Sequence, residues 1–470
     1  MQREQRLFKN TVILMLGLIL PRMVALINLS LTTHNISESA FGDYNIMSNI
    51  VLNLFIPLLT LSIEEGIFRY LIDSNEKKAS YYISTGLAYL SFIALLALIG
   101  LSFFSFTGFG GQTRFLVAEF AAVQIIITFL RPISRGLGLN KAYSTAGILT
   151  SIINLFLTYI FVVLRGLGTE GLLLAVTLAD GFGVIYLLIA TKIRKLYNTA
   201  HIKLEVFIKL LKYSLPLIPN MIAWYIISLS DQLIIRGILG SAHVGIYATA
   251  TKIPNILSLV YNGFSLAWTE SATRSLNDQD FKKFYSKMLF NLLRVLTAGL
   301  VGLIAFSPII FNILISNRFF EAYQYMGLLI VATFLSCISS YYGSLYIAAK
   351  APKGISSSSI IAAIVNVVVH FALINWLGIY AAVISTVVAY IVIVAYRVVD
   401  IQKNYFKLMY YKNLNITIFL AIIISLALFH LGQFSKIAMY GNMLFSIVLA
   451  IILCLDLIID IIKLITKKFK

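Results

Sequence analysis

Among the ionisable side chains within or at the edges of apolar runs, eight are candidates for chemistry: Arg22, Glu119, Arg131, Arg135, Asp180, Asp231, Lys252 and Arg294. Arg22 stands out, about twelve residues into the first run and thus roughly 18 Å along a helix rising 1.5 Å per residue. A mid-helix arginine costs about 2.5 to 3.5 kcal/mol on insertion scales, so its side chain must meet a partner or a wet cavity. Two readings follow, a substrate-facing cation or a structural ion pair with Asp180 or Glu119 at similar depth. Lys252 is either functional or snorkels to the interface. For Arg294, near a span end, snorkelling is the stronger reading, whereas Arg131, Arg135 and Lys141 suit the anchoring of a membrane-bound anion or a simple topology signal. Among the acids, Asp180 is the deeper candidate for a coupling ion. Asp231 fits a cation or proton site or a hairpin-stabilising polar network, and Glu119 is a further ion-coupling candidate.

Other chemistry finds little support in the spacing. His34, His201, His243, His370 and His430 form no HExxH or paired pattern, and Cys337 and Cys454 both sit in apolar runs, so no metal site is expected. Gly166-Leu167-Gly168-Thr169-Glu170-Gly171 fits GxGxxG but follows no strand, which predicts an interhelical turn, not a nucleotide site. There is no GxxxxGK[ST] phosphate loop, so any work must draw on gradients or a partner. We expect no catalytic residues, no cofactor beyond Na+ or H+ as coupling ion, and no nucleic acid.

These side chains need a scaffold, and composition names it. With 470 residues, 60% hydrophobic, 12% charged and a mean hydropathy of +0.91, the chain reads as an all-α polytopic membrane protein. About fourteen spans are expected, with cores at 11 to 31, 44 to 63, 82 to 104, 115 to 131, 143 to 164, 171 to 191, 213 to 235, 245 to 267, 288 to 311, 323 to 347, 357 to 375, 378 to 398, 414 to 431 and 441 to 462. The net charge of +18 gathers in short loops, about 29 of 37 Lys and Arg on one side, which predicts both termini in the cytoplasm. Residues 1 to 10 are basic and lead into the first span without an AxA-like site, so a retained helix is expected. Residues 198 to 212 alternate apolar and basic groups, with Glu205 and Lys209 an i,i+4 pair, as in a linker lying on the inner membrane surface.

The spans repeat. Leu20-Pro21-Arg22-Met23-Val24-Ala25 parallels Ile218-Pro219-Asn220-Met221-Ile222-Ala223, Phe41-Gly42-Asp43-Tyr44 parallels Val244-Gly245-Ile246-Tyr247, and Leu167-Gly168 is echoed by Leu377-Gly378. An offset of about 200 residues divides the chain into 1–197, the linker 198–212, 213–400, and an appendage of two spans, 401–470. Arg22 maps onto Asn220 and Lys252 onto Asn49, so each half carries one cation where the other has an amide.

The stretch SLPLIPNMIAWYIISLSDQLIIRGILGSAHVGIYATATKI closely resembles the middle of bacterial polysaccharide flippases of the Wzx type, in the multidrug, oligosaccharidyl-lipid and polysaccharide exporter superfamily. KAPKGISSSSIIAAIVNVVVHFALINWLGIYAAVISTVVAYIVIVAYR looks like a second landmark of that family. The resemblance implies a MATE-like pair of six-helix lobes around a central cleft, flanked by Arg22 and Lys252, with two further C-terminal helices. By alternating access such a protein moves undecaprenyl-pyrophosphate-linked oligosaccharide across the bacterial inner (cytoplasmic) membrane, for O-antigen, capsule or exopolysaccharide assembly. Its partners would be the lipid-linked oligosaccharide and membrane lipids, with an envelope polysaccharide polymerase left open. A cation-coupled drug or metabolite exporter is the rival, weakened because such exporters commonly carry an acid in the first span, where this chain has Arg22. A glycosyl polymerase or ligase would need a large external loop, and every polar interval here is short.

Overall fold

Inside hydrocarbon every backbone N–H and C=O must be satisfied within its own segment, so the apolar runs can fold only as helices. The computed structural model describes residues 2–72, 74–103, 113–349, 351–409 and 411–468. The sequence expectations for the side chains of residues 1–10, of Asn220 and Lys350, and of the tail lysines Lys463, Lys467, Lys468 and Lys470 lie outside the described residues. No strand occurs among those described.

The helices are α1 (Gln2–Asn35), α2 (Glu38–Ile50), α3 (Ile56–Thr60), α4 (Ile63–Ile72), α5 (Glu76–Phe103), α6 (Thr113–Gly136), α7 (Asn140–Thr158), α8 (Gly168–Ala190), α9 (Ile193–Leu196) and α10 (Leu204–Ser214). They continue as α11 (Ile218–Leu239), α12 (Ser241–Ala250), α13 (Asn255–Ser275), α14 (Phe281–Leu314), α15 (Glu321–Ala348), α16 (Pro352–Leu377), α17 (Ile379–Asn404), α18 (Lys412–Gly432) and α19 (Lys436–Lys468). Among the described residues ten helices are long and apolar enough to cross a membrane. An eleventh span arises if Glu38–Thr60 and Ile63–Ile72, bent by 66° at their junction, count as one. The other three expected spans fall on α1, α11 and α12 with α13, which include side chains outside the described set. Large apolar groups point outward, among them Phe156, Ile189, Trp376 and Ile437. In a protein of this hydropathy, that outward face is the lipid-facing one.

The chain forms two compact units, Met1–Leu229 with Gly240–Gly245 and Leu314–Arg318, and Ser230–Leu239 with Ile246–Ile313 and Phe319–Lys470. In the first unit Ile63, Ile67, Ile83, Ile125, Leu130 and Leu210 pack in one core. In the second, Trp268 stacks on Tyr341 at 4.8 Å and donates its indole N–H to Ser344 Oγ at 2.7 Å, so the ring is buried with its polar edge satisfied.

Two pairs of repeat landmarks have a visible backbone purpose. Gly168 and Gly378 both take positive φ, 53° and 55°, where their helices begin after the Leu-Gly turns; glycine enters this region without a side-chain clash. The GxGxxG run is therefore a helix-to-helix turn, entered through a π-helical segment at Tyr159–Leu164. Gly42 and Gly245 face each other in the first unit. A Cβ on Gly42 would lie 1.9 Å from Ser241 O, and one on Gly245 2.0 Å from Glu38 O. Gly42→Ala and Gly245→Ala are each expected to destabilise the protein by about 1 to 3 kcal/mol, the usual range for overpacking. A lowered thermal midpoint in detergent checks this, and an unchanged midpoint in either variant contradicts it.

The linker departs from its expected pairing. Lys209 on α10 donates to Tyr82 Oη at 2.9 Å and lies 4.4 Å from the Tyr70 ring, so its ammonium turns to α4 and α5 and away from Glu205. The hydrogen bond to Tyr82 raises the Lys209 pKa above its ordinary value. The segment before it is fastened to the same end of α5: Ser84 Oγ accepts from Asn198 N at 2.9 Å, and Ser80 Oγ meets His201 Nδ1 at 2.7 Å.

Candidate functional site

Pro21 and Gly17 of α1 lie against Gly147 of α7, which fixes the contact face of this helix. Arg22, one residue on, is turned about 100° from Pro21 and is exposed. Its guanidinium makes no hydrogen bond or ion pair among the described residues. The two acids offered as structural partners are engaged or placed elsewhere: Glu119 is exposed on α6, and Asp180 is buried on α8 with other groups.

Asp180 Oδ2 accepts from Gln124 Nε2 at 2.6 Å, and Asp180 Oδ1 pairs with Arg131 Nη2 at 3.3 Å. The carboxylate and Arg131, from neighbouring helices, therefore balance each other's charge. Arg135 lies one turn along α6, exposed, its guanidinium 5.0 Å from the Phe68 ring and 5.4 Å from that of Tyr143.

Asp231 on α11 has a different environment in the second unit. It is 1% exposed. Tyr247 Oη donates to Oδ2 at 2.9 Å, Thr386 Oγ1 donates to Oδ2 at 2.7 Å, and His370 Nδ1 lies 2.9 Å from Oδ1. Asn366, one turn before His370 on α16, accepts from Ser230 and donates to Ser385, extending the network beside the pair. His370 is fully buried and its Nε2 has no partner. A bare acceptor is tolerated there more readily than an unsatisfied N–H, which puts the ring proton on Nδ1, donating to Asp231. The Asp231 carboxyl then faces three donors, and no fixed cation pairs with it among the described residues.

Lys252 lies in the turn between α12 and α13, partly buried. Its repeat mate Asn49, near the end of α2, precedes the π-helical turn Val51–Phe55, so both halves interrupt a span just after this position. Arg294 on α14 is 8% exposed, donates to Leu453 O at 2.5 Å and pairs with Asp456 of α19. It thereby fastens the last helix to the second unit.

Sequence reasoning missed the most organised groups. Histidine spacing along the chain hid His370, which only folding brings to Asp231. Arg397, 1% exposed on α17, donates to Ser358 Oγ, Ser339 O and Ser359 Oγ at 3.0, 2.6 and 3.5 Å. The run Ser356 to Ser359 in an apolar helix was its available signal.

Comparison with known proteins adds three findings. Residues 7–269 match the sequence model of a family described as "Polysaccharide biosynthesis protein". The fold is similar to that of a lipid II flippase, MurJ, in an inward closed conformation, with TM-score 0.72 and 17% identity over 96% of this chain and 100% of that one. It is also similar to an inward-facing multidrug resistance MATE family transporter of the MOP superfamily, with TM-score 0.67 and 15% identity over 83% of this chain and 98% of that one. No curated protein matches by sequence. At these identities the structural likenesses establish the fold.

Proposed function

Because this chain belongs to the polysaccharide biosynthesis protein family, we propose that it is a flippase carrying pyrophosphate-linked polyprenyl oligosaccharide from the inner to the outer leaflet of the cytoplasmic membrane. The observation that carries this reading is the family match over residues 7–269, more than half of the chain. Arg22 supports the anionic part of the substrate. It is an exposed guanidinium midway along a membrane helix, without a protein partner among the described residues, and its planar fork suits two phosphate oxygens. Undecaprenol is the lipid and a surface-polysaccharide repeat unit the glycan in this proposal.

Energy enters, in the same reading, through Asp231 and His370. A site that changes its net charge on taking up one proton, held in helices of the second unit, can bias a conformational equilibrium by its differential affinity for the proton. The pair of Asp180 with Arg131 is assigned a structural role. The basic linker, with Leu204 and Ile208 exposed on α10, is assigned to the cytoplasmic membrane surface.

Binding tests the substrate class. Purified protein in nanodiscs should bind undecaprenyl-pyrophosphate-linked oligosaccharide at least tenfold more tightly than the monophosphate-linked form or an organic cation, the equivalent of about 1.4 kcal/mol. A preference for the organic cation overturns the flippase reading in favour of drug or metabolite export.

A further inference from the structure

Glu64 is a buried carboxyl to which no role has so far been given. It is 5% exposed and stands in the first turn of α4, just past the 66° bend. The bend is made by Leu61 and Ser62, with φ of 52° and 50°. Successive left-handed residues that are not glycine are strained by about 1 to 2 kcal/mol each, and they persist only where surrounding structure holds them.

The break frees backbone groups, and local side chains catch them. Tyr89 Oη donates to Leu59 O at 2.9 Å, and Ser62 N donates to Thr60 Oγ1 at 3.2 Å. Thr60 Oγ1 in turn donates to Glu64 Oε1 at 3.4 Å, a long contact, while Oε2 is buried without a partner. The titratable and charged groups on the surrounding elements leave the carboxyl without compensation. Glu65 and Arg69 share its helix and are exposed, Tyr89 of α5 and Tyr225 of α11 lie within electrostatic range of it, Arg135 of α6 lies on Phe68, and Lys209 of α10 is bound to Tyr82. No cation pairs with Glu64 among the described residues. An ionised carboxylate so buried, served only by a long contact from Thr60 and by its own backbone amide and with Oε2 unpartnered, would be costly, and such groups shed their charge instead.

We propose that Glu64 is a proton-binding group of the first unit: its carboxyl holds a proton while the span is bent at Leu61 and Ser62, and gives it up when the break rearranges to bring the carboxylate to water. Two proton-binding positions then exist, the pair on α11 and α16 and the single acid at the break of the second span. What the hinge is used for rests on the transport reading; the protonation itself does not.

Infrared difference spectroscopy of the protein in nanodiscs reads it directly. At neutral pH the wild type should show a protonated-carboxyl carbonyl band that is lost in Glu64→Gln, shifted in Glu64→Asp, and lost in the wild type as pH rises. A spin-label pair at Leu52→Cys and Ile72→Cys, on a background without Cys337 and Cys454, should change its distance distribution over the same pH range and stay fixed in Glu64→Gln. A neutral-pH spectrum to which Glu64 contributes no protonated-carboxyl band overturns the proposal, as does a distance change that survives in Glu64→Gln. Neither readout needs substrate, so a failed binding assay would leave this result standing, and the converse holds.

Discussion

Asp231→Asn is expected to uncouple transport from a proton gradient while leaving the substrate bound. The wild-type carboxylate receives a hydroxyl from Tyr247, a hydroxyl from Thr386 and the imidazole of His370 within 2.7 to 2.9 Å. An amide keeps the shape but removes the charge, and it turns one acceptor into a donor facing groups that themselves donate. Each hydrogen bond to a charged group contributes about 1.5 to 3 kcal/mol. Losing the carboxylate leaves buried donors short of an acceptor, which should lower stability by about 1 to 3 kcal/mol, with Asp231→Ala at the upper end. Replacing His370 by Gln tests the other partner: a side-chain amide can still donate to Asp231 but cannot take up a proton, so proton dependence should vanish with a smaller loss of stability. The measurements are the thermal midpoint in detergent and uptake into liposomes with and without an imposed pH gradient. Wild-type gradient dependence in both variants would remove the pair from coupling, and dependence on sodium alone would replace the proton as its ligand.

The second large effect is at Arg22. Arg22→Gln should weaken binding of a pyrophosphate-linked lipid by about 1.5 to 3 kcal/mol, roughly 10- to 150-fold, because a charge-assisted contact in a poorly hydrated setting is lost. Arg22→Lys should recover only part of this, since an ammonium is a point charge without the planar fork. Lys252→Gln should cost less than Arg22→Gln for the same reason. Neither Arg22 change should reduce abundance or insertion, because Arg22 has no partner to strand among the described residues and the native charge is itself unfavourable in a helix centre. Normal affinity in Arg22→Gln protein would take Arg22 out of the site, and with it the main residue-level argument for an anionic head group.

Helices and glycine landmarks were legible in the sequence because each rests on a one-dimensional signal. A run of some 20 apolar residues can only be a helix in lipid, and glycines at Gly42, Gly168, Gly245 and Gly378 mark positions where backbone geometry or a close approach excludes a side chain. The intramembrane charges were equally visible as residues. Their partners were not. Asp231 meets His370 across 139 positions of sequence, and Arg294 meets Asp456 across 162, so neither pair has a local pattern. Arg131 stands at the edge of its span in sequence, where a topology signal and an ion pair look alike; its Nη2 pairs with Asp180 Oδ1 at 3.3 Å. Glu64 stayed hidden for another reason. In sequence it is one of two adjacent acids before a polar loop, and only the break at Leu61 and Ser62 buries it while Glu65 faces outward.

The central claim is that this chain carries a lipid-linked anionic glycan across a bilayer, and the direct test is sided transport by the purified protein. Liposomes holding the protein and undecaprenyl-pyrophosphate-linked oligosaccharide in one leaflet, with a glycan-cleaving enzyme restricted to the opposite side, report each molecule that crosses. The expected result is time-dependent cleavage that depends on the protein, is accelerated by a proton gradient, and falls at least tenfold with Arg22→Gln. Cleavage no faster than in protein-free liposomes, together with gradient-driven export of a small organic cation by the same preparation, would contradict it.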